Sequence, residues 1–367
     1  MEKKKKIAVL GGGNGAHTMA ADLVLKGFEV RICEAPEFEA DFRATIEHQG
    51  IQLINAWGDE RFVKVHRATT DFKEAIEGVD YIMLTIPAMG HERFFNGVMP
   101  YLEDGQTIVS WPGNYSALRF SNMLRESGIH KKVTFAEAHT LPWGCRMEEP
   151  GKVRIFVEAW KLLVAAIPSR ETGRVLADLK AMYPVAAGEN VLATSMNNLN
   201  PIVHPIGSLL NAGWIDTLGK DFYFYRHGTT LSIARAMRAV YEEVERVAEA
   251  IDVKMLEYPE EAFWSKITIM SYYFNTPFDR EGVVARISGP SSMKSRYIIE
   301  DVPYGLVPVG YLARQLGIAT PIINAVVEIT SIINQTNYWE KGRLLEELGI
   351  AGLDRGELKR ILEYGFE

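Results

Sequence analysis

A glycine-rich turn near the N-terminus constrains this chain more than any other feature. Residues 7–10 are apolar and predict a short buried strand, and a helix is predicted over residues 16–26. Between them, Gly11, Gly13 and Ala16 fit the G-x-G-x-x-[GA] pattern of a dinucleotide-binding turn. The first glycine allows the tight turn, the second lets the backbone approach a pyrophosphate, and the small third residue lets the helix pack close to the strand. The start of the helix then presents free N–H groups and a positive dipole end to the phosphates.

An acidic residue stands at the spacing that such a turn requires. Residues 29–34 predict a second strand that ends at Glu34, about twenty residues past the turn, where a carboxylate accepts hydrogen bonds from the hydroxyls of the adenosine ribose. Because a carboxylate there repels a 2′-phosphate, Glu34 favours NAD as the cofactor. Arg31 and Arg43 are near enough in sequence to leave NADP open. Further cofactor contacts are expected in the turn itself and in two later turns that follow strands, at Asn14, Gly15, Pro87 and Asn114.

Composition and charge limit the class of protein. The 367 residues suggest about two domains, and 47% hydrophobic with 24% charged residues is ordinary for a globular protein. A net charge of -7 gives no electrostatic footprint for nucleic acid. No stretch is apolar for long enough to span a bilayer, and too few apolar residues follow the lysines of residues 3–6 for a secretion signal. The two cysteines form no disulfide framework, which favours a reducing compartment and hence a cytoplasmic protein. No metal-binding residues are identified.

The pattern of strands and helices divides the chain near Leu192. Before that point strands and helices alternate, which predicts a parallel sheet with helices on both faces. After it the pattern is helical, and the clearest helix, residues 229–251, carries one apolar stripe at spacings of three and four. The predicted fold class is therefore α/β, with a Rossmann-type doubly wound sheet over residues 1–191 and an all-helical substrate or catalytic domain over residues 192–367. We expect the active site between the two domains.

An unusual segment, residues 197–205, opens the second half. It carries three asparagines and two prolines, which are costly at the start of a helix unless geometry or function demands them. If the segment is helical, Asn200 and His204 face the same way. On this segment alone, a buried core histidine and a catalyst explain His204 equally well.

A second unusual segment, residues 291–308, places an acid and an arginine close together. Asp301 precedes a Val-Pro step that opens a helix, and it either caps that helix or holds the tautomer and orientation of His204. Arg296 is either a surface charge or the planar fork that binds a substrate carboxylate. Both pairs of alternatives stay open on the residues alone.

Four segments together resemble the opine dehydrogenase family, which includes octopine and nopaline dehydrogenases. They are the turn at residues 11–17 and the segments 140–146, 200–205 and 296–303, so the resemblance covers nearly the whole chain. It implies a reaction in which the amino group of an amino acid condenses reductively with a 2-oxo acid such as pyruvate, using NADH or NADPH. The expected partners are these two substrates, with no nucleic acid and no membrane. The apolar helices of the second half are compatible with a homodimer.

The resemblance also implies roles for individual residues. His204 would be the general acid/base and Asp301 its partner, while Arg296 would bind a substrate carboxylate. Asn200 would position the substrate or the imidazole, and Arg146 is a second candidate for a carboxylate. The chemistry suits these residue types, because a C=N bond accepts hydride best when protonated and a histidine with an ordinary pKa of about 6.5 exchanges protons at neutral pH. Walls of the substrate site are expected at Trp111, Trp143, Cys145, Met147, Trp214 and Tyr225, although aromatic residues near a domain junction more often belong to the core.

Two alternative functions stay open. One is a 2-hydroxy acid dehydrogenase, or a reductase in the manner of ketopantoate reductase or glycerol-3-phosphate dehydrogenase. Those two reductases use a catalytic lysine in the helical domain, and no lysine lies between Leu192 and Gly219. The other is a non-catalytic NAD-binding sensor, against which the intact set of His204, Asp301 and Arg296 argues.

Overall fold

The computed structural model describes residues 5–258, 261–264, 274–275 and 289–366. Contacts between their Cα atoms divide them into two units. The first unit holds residues 5–191, 274–275 and 361–366, and the second holds residues 192–258, 261–264 and 289–360. Two short segments from beyond residue 192 thus group with the first unit. The assignment of residues 1–191 to the cofactor and of residues 192–367 to the substrate stays a prediction.

The first unit is built on two β-sheets. In chain order, the strands are β1 (Lys6–Leu10), β2 (Glu29–Cys33), β3 (Gly50–Ile54), β4 (Glu60–Lys64), β5 (Arg67–Thr69), β6 (Tyr81–Leu84), β7 (Thr107–Ser110), β8 (Thr134–Ala138), β9 (Trp143–Glu149), β10 (Lys152–Ala159), β11 (Leu162–Ile167), β12 (Val185–Ala187) and β13 (Phe274–Asn275). The accompanying helices are α1 (Asn14–Leu25), α2 (Glu39–His48), α3 (Phe72–Ile76), α4 (His91–Val98), α5 (Ser116–Glu126) and α6 (Thr172–Leu179).

The larger sheet has eight strands in the order β12-β11-β8-β7-β6-β1-β2-β5. Neighbouring strands are parallel throughout, except for β11 with β8. Strands β6 and β7 are buried along their whole length, which is typical of strands with both faces covered. The predicted Rossmann-type doubly wound sheet is confirmed. Since β1 pairs with β2 on one side and with β6 on the other, the strand order reverses there, and ligands of such sheets bind at the carboxyl ends near this point.

The structure differs from the sequence-based expectation in having a second, five-stranded sheet. Its order is β13-β10-β3-β4, and β9 also pairs with β10. Strand β9 covers residues for which the sequence predicts a loop after β8. The N–H of Met147 on β9 donates to Oδ1 of Asn14 at 2.9 Å, so this sheet is anchored beside the glycine turn.

The described part of the second unit is built from helices. They are α7 (Val191–Met196), α8 (Asn200–Leu210), α9 (Ala212–Leu218), α10 (Leu231–Ala250), α11 (Glu261–Trp264), α12 (Arg296–Ile299), α13 (Val307–Gln315), α14 (Pro321–Asn334), α15 (Tyr338–Lys341) and α16 (Arg355–Tyr364), whose end groups with the first unit. Two π-helical turns, Phe224–Gly228 and Val302–Leu306, precede α10 and α13. The predicted helical second domain is confirmed for this part of the chain. Within the described residues, no helix combines the length and the apolar character that crossing a bilayer requires.

Helix α8, which carries His204, is held by close packing against α10. A Cβ atom on Gly207 would lie 2.5 Å from Cζ of Phe224 and 2.7 Å from Cε of Met237, so any larger residue would force these side chains to move. The predicted stripe of α10 is confirmed, since Met237, Val240, Val244 and Val247 are buried. The local fold around His204 is therefore fixed by ordinary core packing.

Candidate active site

The glycine turn has the geometry that its sequence predicts. Gly11 has a φ of +119°, and a Cβ there would lie 2.6 Å from Cγ2 of Ile86, so the position requires glycine. Space around Gly13 is open, because nothing lies within 4 Å of a Cβ built on it. Gly13 precedes α1 and has no side chain with which to cap it, and Ala16 is fully buried against the strand side. Backbone amides at the start of a twelve-residue helix, next to open space, fit the pyrophosphate of a dinucleotide.

Asn14 and Gly15, both predicted to contact the cofactor, contact the part of the chain that follows β8. Oδ1 of Asn14 accepts the hydrogen bond from Met147 on β9. A Cβ on Gly15 would lie 3.3 Å from the side chain of Leu141, which is tight contact. The segment 140–146 is thereby seated beside the glycine turn within the first unit.

His17 supports the turn from the next turn of α1, a role that sequence reasoning missed. Its Nδ1 lies 3.2 Å from the carbonyl oxygen of Gly13 and donates to it, and its Nε2 lies 2.7 Å from the hydroxyl of Thr45. Burial lowers the pKa of His17 to about 4, so the ring is neutral at pH 7. In the sequence His17 stands out only as the last residue of the glycine motif. Its partner Thr45 lies on α2, and no local pattern connects the two residues.

Glu34 lies where the adenosine ribose is expected. A Cβ on Gly12 would be 2.5 Å from Oε2 of Glu34, so the carboxylate reaches across the glycine turn. Its Oε1 accepts a hydrogen bond from the N–H of Ala35 at 2.6 Å, and burial raises its pKa. Arg31 does not face this carboxylate, because its Nη1 donates to the carbonyl oxygens of residues 74 and 77 at 2.7 and 2.9 Å. Arg43 is exposed on α2.

Pro87 and Asn114 follow β6 and β7, at the same sheet edge as the glycine turn. Asn114 and Tyr115 both have left-handed backbone, with φ of 48° and 66°. A tyrosine in this region is uncommon, and strain of this kind concentrates at functional sites. Beneath the turn, the buried carboxylate of Glu137 accepts a hydrogen bond from the N–H of Ala117 at 3.1 Å. The two predicted cofactor residues thus share one edge with Gly11.

Most of the predicted substrate residues of the first unit lie on β9 and differ in burial, whereas Trp111 follows β7 and is fully buried. Trp143 and Cys145 are buried, and the Trp143 ring meets the Tyr183 ring edge-on at 5.3 Å. Arg146 is exposed, and its Nη1 donates to the carbonyl oxygen of Cys145 at 2.9 Å. Packing of this kind favours the core alternative for Trp143 and leaves Arg146 as the accessible group.

In the second unit, His204 and Asp301 form a buried pair. Nδ1 of His204 lies 2.8 Å from Oδ2 of Asp301, and both side chains are almost fully buried. An N–H at Nδ1 donates to the carboxylate, which leaves Nε2 as the atom that can exchange a proton. Burial raises the pKa of Asp301, and the positive charge of Arg296 opposes that rise. The sequence left two roles open for Asp301, a helix cap and an acid that orients His204. The contact with Nδ1 favours the second role, and the side chain makes no capping hydrogen bond.

Two tyrosines complete the surroundings of the imidazole. The hydroxyl of Tyr225, on the turn before α10, lies 3.2 Å from Nε2 of His204. The Tyr297 ring stacks on the imidazole with centroids 3.7 Å apart and planes 5° apart, and Phe224 meets it edge-on at 5.9 Å. Sequence reasoning named Tyr225 only as a wall and gave Tyr297 no role. Its position next to Arg296 was the one signal that pointed to Tyr297.

Arg296 and Asn200 lie close in sequence to the pair. Arg296 begins α12, one residue before Tyr297, and its side chain is 54% exposed. Its Nη1 lies 3.7 Å from Oε2 of the buried Glu300, which holds the guanidinium on this side of the helix. Asn200 begins α8, half-buried and one helical turn before His204, so the two share a face as predicted.

Comparisons with known proteins identify the family. A sequence profile described as NAD/NADP octopine/nopaline dehydrogenase, alpha-helical domain, matches residues 187–334, and one described as NADP oxidoreductase coenzyme F420-dependent matches residues 6–112. The opine dehydrogenase of Arthrobacter sp. (strain 1C) is 32% identical over 369 residues, which cover 99% of this chain and 100% of that protein. This chain belongs to the opine dehydrogenase family. The resemblance carried by four segments is confirmed, and the protein is an NAD(P)-dependent oxidoreductase that acts on CH–NH donors.

Solved opine dehydrogenase structures share the fold over the whole chain. An octopine dehydrogenase in complex with NADH and L-arginine is 26% identical, with a TM-score of 0.71 and 98% of each chain covered. Yersinopine dehydrogenase with bound NADP+ is 15% identical, with a TM-score of 0.68 and 99% of each chain covered, and shows the fold alone. An opine dehydrogenase needs a group that exchanges a proton at nitrogen, and an imidazole oriented by a buried acid has that capacity.

Proposed function

We propose that this opine dehydrogenase condenses an amino acid, or another amine, with a 2-oxo acid such as pyruvate, and catalyses the reverse oxidation. The balanced reaction consumes the amine, the oxo acid, NAD(P)H and a proton, and it releases the secondary amine, NAD(P)+ and water. The observation that carries the proposal is the 2.8 Å contact between His204 and Asp301. The complex of a related octopine dehydrogenase with NADH and L-arginine supports it.

His204 acts as the general acid and base through Nε2. The acid form protonates the nitrogen of the C=N bond that joins the two substrates, and in the reverse direction the neutral ring removes that proton. Asp301 accepts the hydrogen bond from Nδ1, fixes the ring orientation and stabilises the imidazolium when it forms. The bound nicotinamide supplies the hydride that reduces the same C=N bond. Tyr297 keeps the imidazole in one plane by stacking on it.

Two arginines are proposed to bind the carboxylates of the substrates. Arg296 is the first, because it lies one residue from Tyr297 and is held by Glu300 with its guanidinium half-exposed. A planar guanidinium binds a carboxylate with two parallel hydrogen bonds. Arg146 is the second, as the exposed basic residue of β9. Buried behind it, Trp143 and Cys145 support that strand.

Asn200 and the glycine turn complete the proposed site. Asn200 shares a helix face with His204 and would position the substrate or the imidazole. Pyrophosphate would bind at Gly11, Gly13 and the first amides of α1, and Glu34 would bind the ribose hydroxyls. The carboxylate of Glu34 makes NAD the proposed physiological cofactor.

A screen that crosses 2-oxo acids with amines tests the proposal. NADH oxidation that requires one member of each class is the expected result. Oxidation with a 2-oxo acid alone, unchanged by any amine, would instead indicate a hydroxy acid dehydrogenase. Tight NADH binding without oxidation for any pair of 2-oxo acid and amine would indicate a non-catalytic NAD-binding sensor.

A further inference from the structure

A charged pair stands next to the ribose end of the proposed cofactor site. After Glu34, the chain turns through Pro36–Phe38 into α2. Helix α4 follows β6, the strand that pairs with β1 on the side opposite to β2. Arg93 of α4 forms an ion pair with Glu37, and its guanidinium lies 4.9 Å from the centre of the Phe38 ring. The segments that follow β2 and β6 thus meet beside the carboxylate that is expected to bind the ribose.

Arg93 is the arginine whose charge reaches Glu34. Burial raises the pKa of Glu34, hydrogen bonds from the amides of residues 35 and 12 oppose that rise, and so does the positive charge of Arg93. Arg31, which is nearer in sequence, is engaged with the carbonyl groups at the end of α3. Arg93 and Glu37 are 39% and 53% exposed, so a ligand from solvent can reach both.

The charges here are unfavourable for a phosphate. Glu34, Glu37 and Asp41 are acidic, and the negative charge of Asp41, like burial, raises the pKa of Glu34. Arg93 is the basic group that faces them, and its ion pair with Glu37 occupies it. A 2′-phosphate carries up to about two negative charges and would meet more carboxylates than guanidinium groups. A 2′-hydroxyl meets no such repulsion and can donate to Glu34.

We propose that Glu37 and Arg93 determine cofactor choice together with Glu34: the Glu37–Arg93 pair keeps the guanidinium of Arg93 from a 2′-phosphate, so that the enzyme selects NAD over NADP. The inference rests on the proposed cofactor site. It also implies that Arg93 can bind a phosphate once its ion pair with Glu37 is removed, because a free guanidinium forms two parallel hydrogen bonds with a phosphate.

Binding titrations separate these roles. The dissociation constants of NADH and NADPH are measured by fluorescence for the wild type, E34A, E34A/E37Q and E34A/E37Q/R93M, and the NADPH-to-NADH affinity ratio is compared. The wild type should prefer NADH. The ratio should rise in E34A and rise again by about tenfold or more in E34A/E37Q, as expected for one charged hydrogen bond. R93M should remove that second gain.

Adding R43M to E34A/E37Q gives the matched control, because Arg43 is an exposed arginine of α2. The ratio should stay high in that variant. A wild type that prefers NADPH, an E37Q step without effect, or a gain that survives R93M would each overturn the inference. The E37Q step counts as without effect only if E34A/E37Q still binds NADH, because a variant that loses its fold loses affinity for both cofactors. Since the readout is binding, an enzyme that binds NADH but never condenses its substrates contradicts the proposed function and not this inference.

Discussion

Nδ1 of His204 lies 2.8 Å from Oδ2 of Asp301, although 97 residues separate the two in sequence. Helix α8 carries the histidine, and packing of this helix against the turn Val302–Leu306 brings the acid beside it. Neither side chain is solvated by bulk water, and burial raises the pKa of Asp301 while the charge of Arg296 lowers it. Each group therefore depends on the other for its hydrogen bond, and the pair is the unit on which acid/base catalysis depends.

Asp301→Asn should lower kcat by about a hundredfold or more, because the amide neither fixes the Nδ1–H tautomer nor stabilises the imidazolium. NADH affinity should stay near that of the wild type. Steady-state NADH oxidation gives kcat, and fluorescence titration gives the affinity. Glu249→Gln, at an exposed position of α10, is the matched control. Retention of most of kcat by Asp301→Asn would contradict the assigned role.

Tyr297→Leu and Tyr297→Phe test the stacked ring. The phenylalanine keeps an aromatic plane 3.7 Å from the imidazole, whereas the leucine does not. An aromatic pair of this kind contributes about 0.5–1.5 kcal/mol, so we expect kcat to fall roughly three- to tenfold for leucine and clearly less for phenylalanine. KM should change little in either variant. Equal losses in the two would show that the hydroxyl, and not the ring, matters.

Arg296→Lys should weaken binding of a carboxylate substrate and raise its KM by about tenfold, because the planar fork is replaced by a point charge. The change in kcat should be smaller. Arg235→Lys, on the exposed face of α10, provides a comparison in which KM stays constant. If KM for both substrates is unaffected by Arg296→Lys, the carboxylate binds elsewhere.

Acid should destabilise the first unit in part through His17. Burial lowers the pKa of His17 from 6.5 to about 4, so the unfolded chain takes up a proton that the folded ring does not. The free energy of unfolding therefore falls as the pH drops below 6.5, by on the order of 2 kcal/mol between pH 7 and pH 5.

His17→Gln should flatten that dependence, and denaturant unfolding at the two pH values measures it. His139, whose pKa burial lowers to about 3, adds a similar dependence to both proteins, so their difference isolates His17. An identical loss of stability in the two proteins would show that His17 is not the group that titrates.

Local patterns carried much of the fold. The glycine turn, the spacing to Glu34 and the stripe of α10 depend on neighbours a few residues apart, and each was predictable. Strand β9 was not, because residues 143–149 lack a strict alternation and become a strand by pairing with β10. Strand formation that depends on pairing with another strand leaves no pattern in the residues of the strand itself.

The same distinction applies to the candidate site. Motifs indicated His204 and Asp301, whose contact depends on helix packing that the sequence does not display. Tyr225 contacts Nε2 of His204 from the π-helical turn Phe224–Gly228. Arg93 pairs with Glu37 from α4, the helix that follows β6. Sequence proximity suggested Arg31 instead, yet its side chain is bound to backbone carbonyls. Side-chain direction, rather than position in the chain, decided each of these cases.

The most direct test follows NADH oxidation by the wild type and by His204→Ala, with a 2-oxo acid, with an amino acid, and with both. We predict that the wild type oxidises NADH only with both substrates and forms a product whose mass is their sum less one oxygen atom. His204→Ala should bind NADH normally and turn over about a hundredfold more slowly or worse. Full activity of His204→Ala, or oxidation that needs only the 2-oxo acid, would contradict the account.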